Sequence, residues 1–369
     1  MHLHRGTGES DMIDLSLKKT AVEGWVFLSR VRTALMRNHR YGGFATIKKR
    51  FYHRMWQQAA EAVGATQEDI GSGFYRIRHG DRVTFVRGSD VMLDNHLLLK
   101  MAGNKPLMQK LLAERGYPVL ACQAFELSGI EPALRFLARV GGPCVVKPAE
   151  GGAAGKGITT GIESEADLRK AAYWAAQFER RLLIEKQVPG HSYRLLYLRG
   201  EFIDAIRRDP PEVTGDGRST VRALIERENR ARLSAADDVL SLHPIVPDPD
   251  LSLTLRRQRL SLKSVPAAGQ RVVVKTVVNQ NSRLQNHAVR DEVHPDIVAL
   301  GRELTRWLNI ELAGIDIMTT DIAKPLAQTG GIINEINTTP GLHHHYLISD
   351  PRKSVPVAKI ILKHIFEVR

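Results

Sequence analysis

Two apolar segments late in the chain, AGIDIMTT (313–320) and GGIINEIN (330–337), each carry one acidic residue among isoleucines, and this pair constrains the fold most tightly. Asp316 lies nine residues before Pro325 and Glu335 nine after Leu326, so a hairpin closing between those two would set the carboxylates opposite each other. Asn337, two residues beyond Glu335, then points to the same face of its strand. Ile315, Ile317, Ile333 and Ile336 flank the acids, and burying bare carboxylates in such company is costly without a cation. Two carboxylates and an amide oxygen are hard ligands that suit Mg2+ held between protein and nucleotide phosphates. The alternative is a satisfied polar pair on a sheet.

The 369 residues, 43% of them apolar, can bury a sizeable core and divide into two or three lobes. No run of about 18 apolar residues exists to span a bilayer, and the opening MHLHRGTGESDMIDLSL has acids where a signal peptide needs an unbroken apolar stretch. A cytoplasmic protein with no membrane partner is expected. Cys122 and Cys144 have no Cys or His at metal-ligand spacing and read as small core hydrophobes. The formal charge of +13 points to an anionic partner, and residues 1–60 hold eleven Lys/Arg against four Asp/Glu. The runs Arg30, Arg32, Arg37, Arg40 and Lys48, Lys49, Arg50 could meet nucleic acid or an acidic surface. No aromatic-rich module or helix-turn-helix accompanies them, so a solvated basic face or a funnel for an anionic substrate is expected rather than a nucleic-acid partner.

Residues 1–55 show no clean period. MWQQAAEAVGA reads as a helix, and FYRIRHG with RVTFVRG as a hairpin. NKPLMQKLLAERG reads as a helix with Asn104 as cap and Gly116 as stop. The strand CVVKP, the glycine-rich loop EGGAAGKGI, a helix capped by Ser164 and the strand RLLIEKQV follow. A hairpin turning at Arg199-Gly200 comes next, and a helix beginning at Pro295 precedes the acidic strand pair. Strands and helices intermix without a βαβ rhythm, which predicts α+β lobes rather than one doubly wound sheet.

Three further signals carry chemistry. Lys147 ends an apolar strand and could reach a phosphate as a point charge, while Gly151, Gly152, Gly155 and Gly157 would let backbone N–H groups approach phosphate oxygens. The loop reads as a flexible lid, though not as a P-loop, because Ile158 follows Gly157. Glu185-Lys186-Gln187-Val188 ends a strand, where free backbone groups can read an adenine edge or simply meet solvent. His343, His344 and His345 on an extended chain would alternate faces and could not converge on one ion, so contact with an acceptor substrate is the better reading.

In this order, the elements resemble the ATP-grasp superfamily, and more closely the ATP-grasp module of cyanophycin synthetase and its relatives. The resemblance rests on NKPLMQKLL, VVKPAEGGAAGKGI, LLIEKQVPGHSYRLL, AIRRDPPEVTGDGRSTVRALIERENR, LKSVPAAGQ, RDEVHP and AGIDIMTTDI followed by INEINTTPGL. It implies an ATP-dependent ligase that activates a carboxylate as an acyl phosphate and joins it to an amine, releasing ADP and phosphate. It implies an ATP-grasp fold, two α+β lobes gripping ATP, with a smaller basic N-terminal lobe over 1–103: the first gripping subdomain, with the lid loop, over 104–180, and the second, with the adenine hinge and metal site, over 181–369. Lys105 and Lys147 would bind phosphates, and the loop from Glu150 to Gly157, Lys156 included, would fold over them. Glu185, with the backbone of Lys186 and Val188, would hold adenine, and Ser192 stands where relatives carry an acid for the ribose. Asp316, Glu335 and Asn337 would bind two Mg2+ ions, with Mn2+ as a substitute. Arg194 and Arg208 would face the γ-phosphate or the substrate carboxylate. Asn279 and the turn Thr338, Thr339, Gly341, with His343 after it, would line the acceptor side. Asn281-Ser282-Arg283-Leu284 and Ala288 depart from cyanophycin synthetase, so a different substrate is expected; with no Mur-ligase-like domain following, the two-ligase polymerisation cycle is not expected of this chain alone. An amino acid or small peptide, acted on by a homo-oligomer (dimer or tetramer), is the expectation. A glutamate-adding or peptide- or protein-tailoring ligase of the same superfamily and a basic nucleic-acid binder with a degenerate nucleotide fold are the alternatives.

Overall fold

The computed structural model describes residues 41–150, 155–234 and 238–368, together with 24, 26 and 28–31. Gly151 and Gly152 of the glycine loop, and Arg32, Arg37 and Arg40 of the basic run, lie outside the described residues.

Helix α1 (Gly43–Glu61) begins well before the helix expected from MWQQAAEAVGA. Its buried positions Phe44, Ile47, Tyr52, Met55, Trp56 and Ala59 recur at helical spacing. The predicted hairpin is the middle of a four-stranded antiparallel meander, β1 (Thr66–Gly71), β2 (Phe74–His79), β3 (Arg82–Arg87) and β4 (Asp90–Val91). The meander's inner face (Tyr75, Ile77, Val86) closes over Trp56 in one core with the helix at Val357–Val368.

Helices α2 (His96–Gly103) and α3 (Lys105–Glu114) follow, and each begins at an asparagine whose side chain accepts an orphan N–H: Asn95 from Leu98 at 3.0 Å, Asn104 from Leu107 at 3.1 Å. Next comes an antiparallel sheet of order β5-β8-β6-β7, formed by β5 (Cys122–Glu126), β6 (Cys144–Pro148), β7 (Thr159–Ile162) and β8 (Arg181–Lys186). Helices α4 (Glu131–Val140) and α5 (Glu165–Ala176), the latter capped by Ser164, share its core around Phe136, Leu168 and Ile184. β8 starts one residue past the boundary expected at 180 yet pairs with β5 and β6.

A five-stranded antiparallel sheet of order β13-β10-β9-β14-β15 carries the rest. Its strands are β9 (His191–Leu198), β10 (Glu201–Arg208), β13 (Asn286–Ala288), β14 (Leu312–Thr319) and β15 (Ile332–Asn337). The β9–β10 turn falls at Arg199-Gly200, both at positive φ (52° and 79°), which fits a two-residue hairpin. Between β10 and β13 the chain makes a smaller unit with its own apolar core: β11 (Glu212–Thr214) paired with β12 (Arg271–Val273), and helices α6 (Val221–Ser234) and α7 (Pro249–Arg257). Helix α8 (Pro295–Trp307) covers one face of the large sheet, where Leu195, Tyr197, Ile315 and Ile317 meet Ile297 and Leu304. Gly301 of α8 has no Cβ because Tyr197 lies against it; a Cβ there would sit 2.2 Å from the phenol oxygen. A short helix α9 (Leu326–Thr329) closes β14 onto β15, and α10 (Val357–Val368) is the helix packed beside α1. On the opposite face Leu196, Leu198 and Leu312 join the α1–α10 core, and the polar side chains of the same face make the site. Among the described residues, no helix is long and apolar enough to cross a membrane.

Candidate active site

Strand register builds the centre of the site. Asp316 faces Arg194 on β9 and Glu335 on β15, and cross-strand partners share a face. Arg194 grips Asp316 through both oxygens, Nε to Oδ1 at 2.7 Å and Nη2 to Oδ2 at 2.8 Å. Arg208, which shares that face from β10, donates Nη2 to the same carboxylate at 3.0 Å and to Ser192 Oγ at 2.8 Å. Gly314 leaves room for this: a Cβ there would lie 2.6 Å from Pro340 and 3.5 Å from the Arg194 stem. Burial pushes the Asp316 carboxyl up, but the Arg194 and Arg208 guanidiniums outweigh it and hold the group below the usual carboxylate range. Arg208 itself is lowered by burial, and its Nε is buried without a hydrogen-bond partner.

The second sheet supplies two lysines. Lys147 on β6 pairs with Glu185 on β8 at 2.7 Å, both buried. Burial lowers the Lys147 ammonium and Glu185 more than restores it. Gln109 Nε2 donates to the other Glu185 oxygen at 3.3 Å. Lys105, at the start of α3, reaches Glu335 at 3.3 Å. The chain there is tied to the end of β6, because Lys105 N donates to Ala149 O at 3.1 Å and Asn104 Nδ2 to Glu150 Oε1 at 3.2 Å. Four cations (Lys105, Lys147, Arg194, Arg208) thus pair with three carboxylates (Glu185, Asp316, Glu335), and the surplus positive charge suits an anion.

Glu185 is committed to Lys147, while Lys186 is exposed and Val188 half-buried just past the end of β8. Gly155 and Gly157 have left-handed backbones (φ 73° and 77°), and Gly155 abuts Asn279 so closely that a Cβ would lie 2.5 Å from its amide carbon. Lys156 between them is exposed. Asn337 donates Nδ2 to Gly314 O at 3.5 Å, a long contact that leaves its amide oxygen uncommitted to this bond. Among the described residues, no group of three His, Cys, Asp or Glu side chains is placed to hold a metal. Asp316 and Glu335 remain two facing hard-oxygen donors with Asn337 beside them, and both already neutralise cations. A divalent ion therefore fits this donor set when it arrives with a polyanion that takes over the arginines and lysines.

Thr338 is buried, Thr339 exposed, and Gly341 opens a 3-10 turn over Leu342–His345. The histidine run is therefore not extended, as the alternation argument required. Leu342 turns into the α1–α10 core and His345 Nδ1 lies 2.7 Å from Asp204, so both ends of the run are drawn inward. The His343 and His344 rings lie tilted against each other, their centres 4.0 Å apart. Burial and the neighbouring histidines hold both well below the ordinary histidine value.

Sequence reasoning missed Tyr52, whose hydroxyl lies 3.0 Å from His343 Nδ1. The available signal was its place on the buried stripe of α1.

No family model matches the chain. Cyanophycin synthetase of a Nostoc species is 31% identical over 331 residues, 85% of this chain and 36% of that protein. The glutathione biosynthesis bifunctional protein GshAB of Mannheimia succiniciproducens is 28% identical over 284 residues, 75% of this chain and 37% of that protein. The chain spans a little over a third of the length of these curated relatives. A solved structure of a bifunctional glutathione synthetase from Pasteurella multocida shares the fold, with a TM-score of 0.52 at 22% identity over 84% of this chain and 44% of that one. With strand order, caps and the facing acids of the late hairpin all in agreement, the chain belongs to the ATP-grasp superfamily, close to the corresponding part of cyanophycin synthetase.

Proposed function

We propose that the chain joins a carboxylate to an amine at the expense of ATP, through an acyl phosphate, with an amino acid or small peptide as substrate. The observation that carries this reading is the cluster in which Lys105, Lys147, Arg194 and Arg208 exceed the carboxylates they pair with. Relatives named for cyanophycin and glutathione synthesis support substrates of this class.

A carboxylate repels nucleophiles, and phosphorylation turns its oxygen into a leaving group before the amine attacks. Lys105 and Lys147 bind phosphate oxygens, and Arg194 and Arg208 take the charge of the transferring group or of the substrate carboxylate. Adenine is read by the backbone of Lys186 and Val188, since the Glu185 carboxylate already serves Lys147 and Gln109. Asp316, Glu335 and Asn337 would hold Mg2+, which would supply charge neutralisation on the phosphates. The loop through Gly155 and Gly157 excludes water from the acyl phosphate.

The test is ADP release with Mg2+-ATP across a panel of amino acids and small peptides offered in pairs. ADP release that requires both a carboxylate and an amine is expected; no ATP binding and no ADP release with any pair would overturn the reading.

A further inference from the structure

His343 stands where the N-terminal lobe meets the large sheet. The Leu342 N–H donates to Ser89 Oγ at 3.2 Å, Ser89 Oγ lies 2.8 Å from the Tyr52 hydroxyl, and that hydroxyl lies 3.0 Å from His343 Nδ1. Ser89 comes from the β3–β4 turn and Tyr52 from α1, both in the N-terminal lobe. On the other side His343 lines a small pocket with His243, His344, Asn279, Asn281 and Ser282, and Asn279 is the residue that Gly155 of the glycine loop abuts.

We propose that Tyr52 and Ser89 are positioning residues that fix His343 in the tautomer protonated at Nε2, making the ring a hydrogen-bond donor to a carboxylate or carbonyl oxygen of the substrate. Ser89 Oγ already accepts the Leu342 backbone N–H, so its own hydrogen is the one it has to donate. The arrangement that uses every hydrogen runs from Ser89 to Tyr52 and from Tyr52 to Nδ1. Nδ1 then presents a lone pair, and the ring's proton sits on Nε2, the nitrogen that Tyr52 does not engage. The reverse direction would have Ser89 accept two hydrogens, from Leu342 N and from Tyr52, and leave its own without a place in the network. Burial, which pushes the Tyr52 phenol up to about 12, keeps it a donor. Burial first, then the nearby His243 ring and the Lys48 and Arg194 cations, hold the His343 ring well below the ordinary histidine value, and a neutral imidazole N–H can polarise a carbonyl.

The tautomer assignment does not depend on ligase activity; only the identity of the oxygen it meets rests on the proposed function. The test uses the full chain with 15N-labelled histidine at pH 7, the His343 ring being assigned by loss of its signals in His343→Gln. An unprotonated Nδ1 and a protonated Nε2 are expected, with a mixture of tautomers in Tyr52→Phe and a smaller change in Ser89→Ala. Acetate, as a carboxylate probe, should move the Nε2 signal in wild type and require about tenfold more in Tyr52→Phe, the effect of loosening one charge-assisted hydrogen bond. A proton on Nδ1, or ring signals that Tyr52→Phe and Ser89→Ala both leave unchanged, overturns the proposal. A Nε2 signal indifferent to acetate overturns its substrate half. Failure of ADP release with the tautomer as stated would count against the ligase reading alone.

Discussion

Asp316 and Arg194 sit directly opposite each other on neighbouring strands, joined by two parallel hydrogen bonds of 2.7 and 2.8 Å in a buried setting. Bidentate pairing of this kind is strong and directional, and removing one partner strands the other's charge. Asp316→Ala leaves Arg194 and Arg208 buried without their shared carboxylate, so unfolding free energy should drop by about 3–5 kcal/mol. ADP release should fall below detection. Urea denaturation and a coupled ADP assay check both; turnover that survives in a folded variant would move the chemistry elsewhere.

Lys147 and Glu185 are each costly to leave without the other in this interior. Lys147→Met or Glu185→Met should each destabilise by about 3 kcal/mol, and the double variant by less than either, because no unpaired charge remains. A double-mutant cycle on thermal or urea unfolding reads the coupling. Equal and additive losses would show that the 2.7 Å pair is not energetically coupled. ATP affinity should fall at least tenfold in any variant lacking Lys147, measured by calorimetry.

Gly155→Ala meets two obstacles, a left-handed backbone (φ 73°) and a Cβ position 2.5 Å from Asn279. Strain of about 1 kcal/mol is expected from the backbone alone. Because the loop can relieve the clash by lifting, turnover should drop at least tenfold while the melting temperature changes by a few degrees at most. Asn279→Ala in the same chain removes the clash but not the backbone strain, so partial recovery of turnover is expected. No recovery would mean that contact with Asn279 is not what seats the loop.

The buried histidines set a pH window. His343 and His344 titrate well below 6.5 in the folded protein and near 6.5 when unfolded. Their contribution to stability is fully present above about pH 6.5 and is lost as pH falls toward the folded values. Over that range the unfolded state binds protons that the folded state refuses, at about 1.4 kcal/mol per pH unit for each ring. His344→Gln should flatten the decline in urea midpoint below pH 6.5 and leave the curve above it unchanged in slope. A decline of the same slope in the variant would assign the acid sensitivity to other groups.

Where local chemistry decided the structure, the sequence was readable. Asn104 and Ser164 cap their helices, Arg199-Gly200 turns its hairpin, and the spacing about Pro325 set Asp316 against Glu335. Contacts made by distant segments were not readable. Nothing in the order of residues says that Arg208 crosses a strand to share Asp316 with Arg194, or that Tyr52 reaches His343. The meander's outer strands were hidden because β1 is mostly polar and exposed and β4 spans two residues. The histidine run was misjudged because its turn is dictated by where Leu342 and His345 are buried rather than by the three rings themselves.

Trp56 is sealed beneath α10 although some three hundred residues of chain separate the two helices. A ribosome making this protein releases α1 and the meander long before the partner that covers them exists. Contacts of such sequence separation form slowly, and an uncovered tryptophan face invites association with other nascent chains. Shielding of that face during translation, by a holdase or by provisional packing of the meander, is a requirement of the topology, and removing α10 should convert soluble expression into inclusion bodies.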